Sequence, residues 1–277
     1  MGSDKQNIIF HAGLQKTATT FLQRSVFPKF EDVVFVPKRA YREADAIIEA
    51  NPDRTVFISH EFGRRNFGEE MKAFAARYPH TKTIIVFREH SGWIASYYRF
   101  LVKRGLNATF SEFFDLKGNT GLWKREELFY FKDIEILVNL FETKPLVLFH
   151  DELKENPKGF IQKIQDYSSV KNTEDILLRP RHMAYSDKEL RIRLWFTRHT
   201  MLKEFYDVGH IKRYWGKRLY NRIARYSVLY LAKLVPETLM TKKTLIPLET
   251  LQEIRNFYKE DWEQCRIYAQ KNNVIWE

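Results

Sequence analysis

The stretch "IIFHAGLQKTATTFLQ", residues 8–23, decides the fold that this sequence predicts. Its apolar run at 8–10 is typical of a short buried strand. Gly13 permits a tight turn and a close approach of two backbones. A cluster of threonines follows, and the apolar residues after it recur with helical spacing, which indicates the start of a helix. The stretch therefore predicts a strand, a loop and a helix, in that order.

The predicted loop brings Lys16 to the N-terminus of the helix. This end of a helix carries partial positive charge and unpaired N–H groups, so it attracts anions. One ammonium group and the three hydroxyls of Thr17, Thr19 and Thr20 suit a phosphate or a sulfate. The alternative is an ordinary threonine-capped helix after a strand.

The P-loop pattern of nucleoside triphosphatases does not fit this loop. That pattern has Gly directly before its Lys-Ser/Thr pair and another Gly five residues earlier. Here Gln15 precedes Lys16, and Phe10 occupies the earlier position. A kinase that uses ATP and Mg²⁺ remains an alternative, with this spacing against it.

Composition limits the class of protein. Of the 277 residues, 44% are hydrophobic, which is ample for a core. The single cysteine, Cys265, excludes an intrachain disulfide and fits a reducing compartment. With 46 Lys and Arg against 35 Asp and Glu, the net charge is +11. This charge predicts acidic partners, such as a polyphosphate cofactor, an anionic glycan, nucleic acid or a membrane surface.

The sequence predicts a cytoplasmic protein. No apolar run approaches the ~20 residues that span a bilayer. Residues 1–7 do not resemble a signal peptide, because no apolar region of usable length follows them. No Cys and His pattern indicates a metal site.

Strands and helices alternate over the first two-thirds of the chain. Besides the opening stretch, we predict strands at 33–37, 55–59, 81–89 and 145–150, and helices at 69–79, 91–104, 123–142 and from Pro157 onward. This alternation favours an α/β fold, a P-loop-like three-layer sandwich with a mostly parallel sheet between helices. From about residue 185 the pattern is helical. We therefore expect one domain over 1–277, with its core at about 7–184 and a helical lid or extension at about 185–277.

Three stretches carry a resemblance to a known family. The order Lys-Thr-Ala-Thr-Thr at 16–20 resembles the 5′-phosphosulfate loop of sulfotransferases, where Gly mostly stands at the place of Ala18. The stretch "FREHSGWIASYYRFLVKRG" at 87–105 resembles the family's 3′-phosphate motif. "PLVLFHDELKENPKGFIQKIQDY" at 145–167 resembles the strand, turn and helix near the end of the family's core. Over about residues 7–170, the chain is similar to the superfamily of sulfotransferases that use 3′-phosphoadenosine-5′-phosphosulfate (PAPS), and most of all to its bacterial carbohydrate-type members.

The resemblance implies a set of ligands and roles. PAPS would be the sulfuryl donor and 3′-phosphoadenosine-5′-phosphate (PAP) the product, with no metal required. Arg88 and Ser96 would hold the 3′-phosphate, although His90 stands where the family often has Pro. Lys16 would offset charge on the oxygen that leaves. The expected cofactor-binding residues are Gln15, Lys16, Thr17, Ala18, Thr19, Thr20, Arg88, Ser96 and Arg181.

A hydroxyl acceptor must lose its proton, so a general base is expected. The candidates are His60 and Glu61, which follow the predicted strand at 55–59. Branches of the family use either His or Glu, so the resemblance gives the two no order. As structural alternatives, His60 would be a hydrogen-bonded loop histidine and Glu61 would pair with Arg64 or Arg65.

Residues 190–235 carry 11 Lys and Arg against two acidic residues, a net charge of +9, with Trp and Tyr between the bases. Three interpretations stay open: a groove for a glycan, a helix that lies on an anionic membrane, and a solvated helix face over a tyrosine-rich core. The first two are compatible if the acceptor is a lipid-linked saccharide.

The sequence therefore predicts an enzyme that moves a sulfuryl group from PAPS to a hydroxyl of a polysaccharide, oligosaccharide or glycolipid. We expect a glycan or glycolipid partner, a peripheral contact with the inner membrane face through 190–235, and no nucleic acid. The alternatives are the kinase above and a non-catalytic basic module that binds polyanions or membranes.

Overall fold

A computed structural model describes residues 6–172, 185–199, 226–236 and 244–273 of the chain. These residues divide into two compact units. The first unit holds residues 6–90, 126–172 and 257–273, and the second holds 91–125, 185–199, 226–236 and 244–256.

The first unit is built on a five-stranded sheet. Its strands are β1 (Ile8–Leu14), β2 (Val33–Val36), β3 (Thr55–Phe62), β4 (Lys82–Phe87) and β5 (Leu146–Phe149). Their order is β2-β3-β1-β4-β5, and all neighbours are parallel. The predicted α/β fold with a mostly parallel sheet is therefore confirmed.

Helices follow the strands along the chain. They are α1 (Thr19–Phe21), α2 (Ala44–Glu49), α3 (Phe67–Ala75), α4 (His90–Arg104), α5 (Phe110–Phe113), α6 (Phe131–Leu140), α7 (His150–Glu155), α8 (Pro157–Ser168), α9 (Asp187–His199), α10 (226–234), α11 (Leu248–Phe257) and α12 (Lys259–Asn272). Short 3-10 helices precede α2, α3 and α6. Within the described ranges, none of these helices combines the length and the hydropathy that crossing a membrane requires.

Helices cover both faces of the sheet, because the strands are apolar on both sides. Phe10 and Ile58 point to one face, where they join a core with side chains of α2, α3, α6 and α12. Ile9 and Phe57 point to the other face and pack with Leu22, which follows α1, and with side chains of α8. The unit thus has three layers, and α12, from the predicted helical extension, forms part of its core.

The predicted helix at 123–142 is wrong in its first half. The chain forms a 3-10 helix at Arg125–Leu128 and then begins α6 at Phe131. Arg64 is the physical reason, because its guanidinium donates to the carbonyls of Glu127 and Phe129, at 2.8 and 3.1 Å. A continuous helix would need those carbonyls for its own N–H groups.

A buried carboxylate fixes the new start of α6. Asp261 of α12 accepts the backbone N–H groups of Tyr130 and Phe131, at 2.8 and 3.1 Å. The same carboxylate lies 3.0 Å from Nε2 of His90, whose ring stacks between Tyr130 and Tyr258, with centroids 4.0 and 4.4 Å away. Asp261 therefore joins α12, the start of α6 and the first residue of α4.

The pKa values of this buried pair are consistent with an Asp261 carboxylate beside a neutral imidazole. Burial lowers the pKa of His90 below its usual value. Burial by itself would raise the pKa of Asp261, but His90 and the two backbone N–H groups outweigh it and lower that pKa. The charge of Asp261 is thus compensated by hydrogen bonds, as a buried charge requires.

The second unit has an aromatic centre. Trp93 and Tyr97 of α4 stack with ring centroids 5.0 Å apart, and Trp123 meets Trp93 edge-on at 5.7 Å. Asp187, the first residue of α9, accepts hydrogen bonds from Arg99 at 3.1 and 3.2 Å and from the backbone N–H of Leu245. These contacts tie α4, α9 and the segment before α11 together.

We expect Asp261→Ala to lower the free energy of unfolding by about 2–4 kcal/mol, because it leaves the buried N–H group of Tyr130 and the half-buried N–H group of Phe131 without an acceptor. Urea denaturation at pH 7 measures the change. Since the folded-state pKa of Asp261 is lowered, its contribution to the free energy of unfolding is complete at neutral pH and shrinks as the pH falls below about 4. The control is Glu263→Ala, an exposed position on the same helix, for which we expect a change within about 0.5 kcal/mol. Equal stability of the two variants would contradict the role given to Asp261.

Candidate functional site

The candidate site lies at the carboxyl edge of the sheet, where strand β1 ends. The strand order runs outward from β1 in both directions, through β3 on one side and β4 on the other. Ligands of open α/β sheets bind at such a switch point. Basic side chains follow the strands at this edge: Lys16 after β1, Lys38 after β2 and Arg88 after β4. The edge is therefore suited to an anion.

The loop after β1 has an unusual backbone. Lys16 and Ala18 both have φ of 67°, in the left-handed region that residues with a side chain seldom adopt. Alternation between right-handed and left-handed residues turns successive N–H groups toward one concave side, which binds anions. Ala18 also precedes α1 directly, so the helix N-terminus adds its partial charge. The left-handed conformation explains why glycine would suit position 18.

Two of the loop threonines shape the loop itself. The hydroxyls of Thr17 and Thr19 are buried and donate to the carbonyl of Leu14, at 2.8 and 2.9 Å. Gly13 makes room for this packing, since a Cβ there would lie 2.8 Å from Cγ2 of Thr19. Thr20 is exposed at the start of α1. Direct contacts of these threonines with a phosphate remain predictions. In the structure, the hydroxyls of Thr17 and Thr19 form hydrogen bonds within the loop.

The chain beyond α1 covers Ser59 of β3. It continues as a π-helix, Leu22–Val26, a form that is frequent at functional sites. Gln23 donates to both oxygens of Ser59, each at 3.1 Å, and Nδ1 of His11 lies 2.8 Å from the same hydroxyl. Burial lowers the pKa of His11 to about 3, so its imidazole is neutral.

The two candidate bases point to opposite faces of the sheet. Both belong to β3, which is longer than predicted and ends at Phe62. His60 stacks on Tyr41 with ring centroids 4.1 Å apart and lies 4.6 Å from the ring of Phe62. Because strand side chains alternate, Glu61 falls on the other face, which is the face of Ser59 and of α1.

Glu61 forms an ion pair, but not with the arginines that the sequence suggested. Its Oε2 accepts from Nζ of Lys38 at 2.9 Å, and Glu61 is the less exposed partner. Arg64 pairs with Asp133 and Arg65 pairs with Glu127. Lys38 is therefore a site residue that the sequence reasoning missed. The signal was available, since it follows a predicted strand at the same edge.

His60 is neutral near physiological pH. Burial, followed by the charge of Lys38, lowers its pKa to about 4. A neutral imidazole can accept a proton, but a pKa this low makes it a weak base at pH 7.

Arg88 lies beside the end of β5. Phe87 pairs with Phe149, so the residues that follow these two strands are Arg88 and His150. Burial, and then the charge of Arg88, lowers the pKa of His150 to about 4. The sequence reasoning missed His150, although it also ends a predicted strand.

The other predicted site residues are placed as follows. Ser96 is half-buried on α4 and belongs to the second unit, so its predicted action with Arg88 remains a prediction. Arg181 lies outside the described residues, as does most of the basic segment 190–235. Among the residues that are described, no group of three or more His, Cys, Asp or Glu side chains could hold a metal ion.

We expect Ala18→Gly to stabilise the protein by about 1 kcal/mol, because glycine adopts the left-handed conformation without the penalty of a Cβ. Thermal unfolding measures the change. The matched control is Ala73→Gly, an exposed position in α3, where glycine should destabilise by about 1 kcal/mol. The same sign for both substitutions would contradict the loop conformation described here.

Comparisons with known proteins bear on the fold. No family model matches the sequence, and no curated protein matches it. A crystal structure of a sulfotransferase from Alicyclobacillus acidocaldarius matches with a TM-score of 0.51 and 16% identity, over 71% of this chain and 97% of the other. Mouse sulfotransferase SULT7A1, in complex with PAP, aligns over 97% of this chain and 90% of its own, with 15% identity and a TM-score of 0.44. By the first of these comparisons, the chain has the fold of a sulfotransferase.

Proposed function

We propose that the protein transfers a sulfuryl group from PAPS to a hydroxyl of a carbohydrate acceptor. The observation that carries this proposal is the left-handed loop with Lys16 at the switch point of the sheet. The sulfotransferase fold is consistent with it. The carbohydrate acceptor rests on the resemblance of the loop sequence to bacterial carbohydrate-type members.

A ligand with two separate anionic groups suits this edge of the sheet. The loop with Lys16 and the cation Arg88 follow neighbouring strands, β1 and β4. Neighbouring strands lie about 4.8 Å apart, so one ligand can reach both ends. PAPS carries a phosphosulfate at its 5′ end and a phosphate at its 3′ end. In the proposal, the loop holds the phosphosulfate, and Arg88 holds the 3′-phosphate through charge-assisted hydrogen bonds.

The proposed chemistry needs a cation that stabilises the leaving phosphate oxygen and a base that accepts the proton of the acceptor hydroxyl. Lys16 neutralises the charge that forms on the phosphate oxygen as its bond to sulfur breaks. The acceptor oxygen forms the new bond to sulfur, and its proton passes to a base of the chain. We assign this base to Glu61, which lies on the face of α1 and is held by Lys38. His60 is less suited, because it stacks on Tyr41 and has a lowered pKa.

The buried state of Thr17 disfavours the kinase alternative. In a P-loop enzyme, the hydroxyl directly after the lysine binds Mg²⁺. Thr17 occupies that position, but its hydroxyl is buried and donates to the carbonyl of Leu14. The sulfuryl donor needs no such ligand, so this geometry fits PAPS better than ATP with Mg²⁺.

We expect PAP to bind without Mg²⁺, and to bind about 10- to 100-fold more weakly to Lys16→Ala and to Arg88→Ala. Each substitution removes a charge-assisted contact worth about 1.5–3 kcal/mol. Isothermal titration calorimetry measures the affinity, and ATP with Mg²⁺ is titrated in parallel.

Lys144→Ala is the control for this titration. Lys144 precedes β5 and so lies at the opposite edge of the sheet, where its loss should leave PAP binding unchanged. Preference for ATP with Mg²⁺ would indicate a kinase. Absence of binding to either nucleotide would refute an enzyme that uses PAPS and favour a non-catalytic basic module.

We expect Glu61→Gln to lower turnover about 100-fold or more, since removal of a general base costs about 10²–10⁴ in rate. His60→Ala should cost less than about tenfold and keep the wild-type pH profile between pH 5 and 8, where His60 is already neutral. The release of PAP from PAPS is followed first with water as acceptor and then with a panel of saccharides. A larger loss in His60→Ala would reverse the assignment, and wild-type turnover in both variants would remove both residues as bases.

A further inference from the structure

Helix α10 of the second unit presents an apolar face to solvent. Leu229 and Ala232 are buried and attach the helix to its unit. The opposite face carries four large apolar side chains at helical spacing, which we call the α10 outer face: Tyr226, Tyr230, Leu231 and Leu234, with exposed fractions of 45%, 68%, 58% and 72%. A helix of a globular protein ordinarily turns such residues inward. An exposed group of this kind indicates a partner or a membrane.

Cations accompany the α10 outer face. Lys233 is exposed between Tyr230 and Leu234. Lys188 of α9 lies at the carboxyl end of the helix, where its Nζ donates to the carbonyl of Val235 at 3.1 Å. In sequence, the helix ends the segment 190–235, whose net charge is +9. The face therefore combines exposed aliphatic groups with positive charge.

Tyrosines extend this face into a shallow cavity. Tyr226, Tyr230 and Lys233 line an open cavity of about 400 Å³ together with Tyr185. The ammonium group of Lys103 lies over the ring of Tyr185, 4.7 Å from the ring centroid. Tyrosines with an apolar body and a polar tip are enriched where proteins meet the boundary between lipid and water.

We propose that the α10 outer face docks on the surface of an anionic lipid bilayer. Leu231 and Leu234 would enter the boundary of the acyl chains, the tyrosines would lie at headgroup level, and Lys188 and Lys233 would face anionic headgroups. A glycan explains these residues less well. The most exposed side chain of the face, Leu234, has no polar group for a saccharide hydroxyl.

The test is co-sedimentation of the purified full chain with vesicles. One set contains phosphatidylcholine alone, and the other contains phosphatidylcholine and phosphatidylglycerol at about 7:3. We expect binding to the anionic vesicles that weakens as salt rises, because exposed charges are screened. The double variant Leu231→Gln/Leu234→Gln should lose about 100-fold in partitioning, since burial of each leucine is worth about a factor of ten.

The matched control is Leu248→Gln on α11, a leucine exposed to 76% that lies outside the α10 outer face. It should bind vesicles like the wild type. Circular dichroism confirms that each variant is folded. No binding to anionic vesicles, or equal loss in the control, would overturn the proposal. The proposal would also be overturned if the α10 outer face bound a sulfated polysaccharide or a second copy of the chain, as detected by sedimentation velocity, while vesicles stayed unbound.

This test uses no nucleotide, so its outcome is independent of the proposed sulfuryl transfer. PAP binding without vesicle binding would support the proposed enzyme and refute the proposed membrane contact. Vesicle binding without PAP binding would do the reverse.

Discussion

The pairing of β1 on both of its edges is the constraint on which the candidate site depends. Parallel hydrogen bonds to β3 and to β4 fix β1 at the centre of the sheet. Its loop consequently emerges where the two halves of the sheet diverge, with the ends of β3 and β4 on either side. The alternation of side chains along β3 then sends His60 and Glu61 to different faces. One strand thus determines where the loop cation lies and what surrounds each candidate base.

The loop after β1 has an unfavourable backbone conformation that is stabilised by its own side chains. Left-handed conformations at Lys16 and Ala18 are unfavourable, and they persist because their neighbours hold them. The hydroxyls of Thr17 and Thr19 on the carbonyl of Leu14 provide that support from within the loop. A loop held in this way is ordered before an anion arrives, so binding costs less conformational entropy.

Much of the fold could be predicted from the sequence, because its strands are short apolar runs and its helices have clear apolar spacing. The predicted strands near 33–37, 81–89 and 145–150 are present. The break before α6 could not be predicted, since it depends on Arg64 and Asp261, which are far from it in sequence. The loop cation and the strand-end arginine followed from local motifs. The ion pair of Glu61 with Lys38 could not be predicted from a local motif, because the pairing of β2 with β3 brings the two residues together.

The carboxylate of Asp261 also has a consequence for the order in which the molecule is made. It caps α6 from 131 residues away in sequence and touches His90, two positions after the strand-end Arg88. Contacts this distant in sequence form late, after the chain between them has been synthesised. A ribosome-bound chain that lacks α12 can therefore pair its strands but leaves the start of α6 and the ring of His90 unsupported. The chain around His90 and the start of α6 should consequently reach its final packing only after α12 has left the ribosome, which separates the pairing of the strands from the completion of the candidate site.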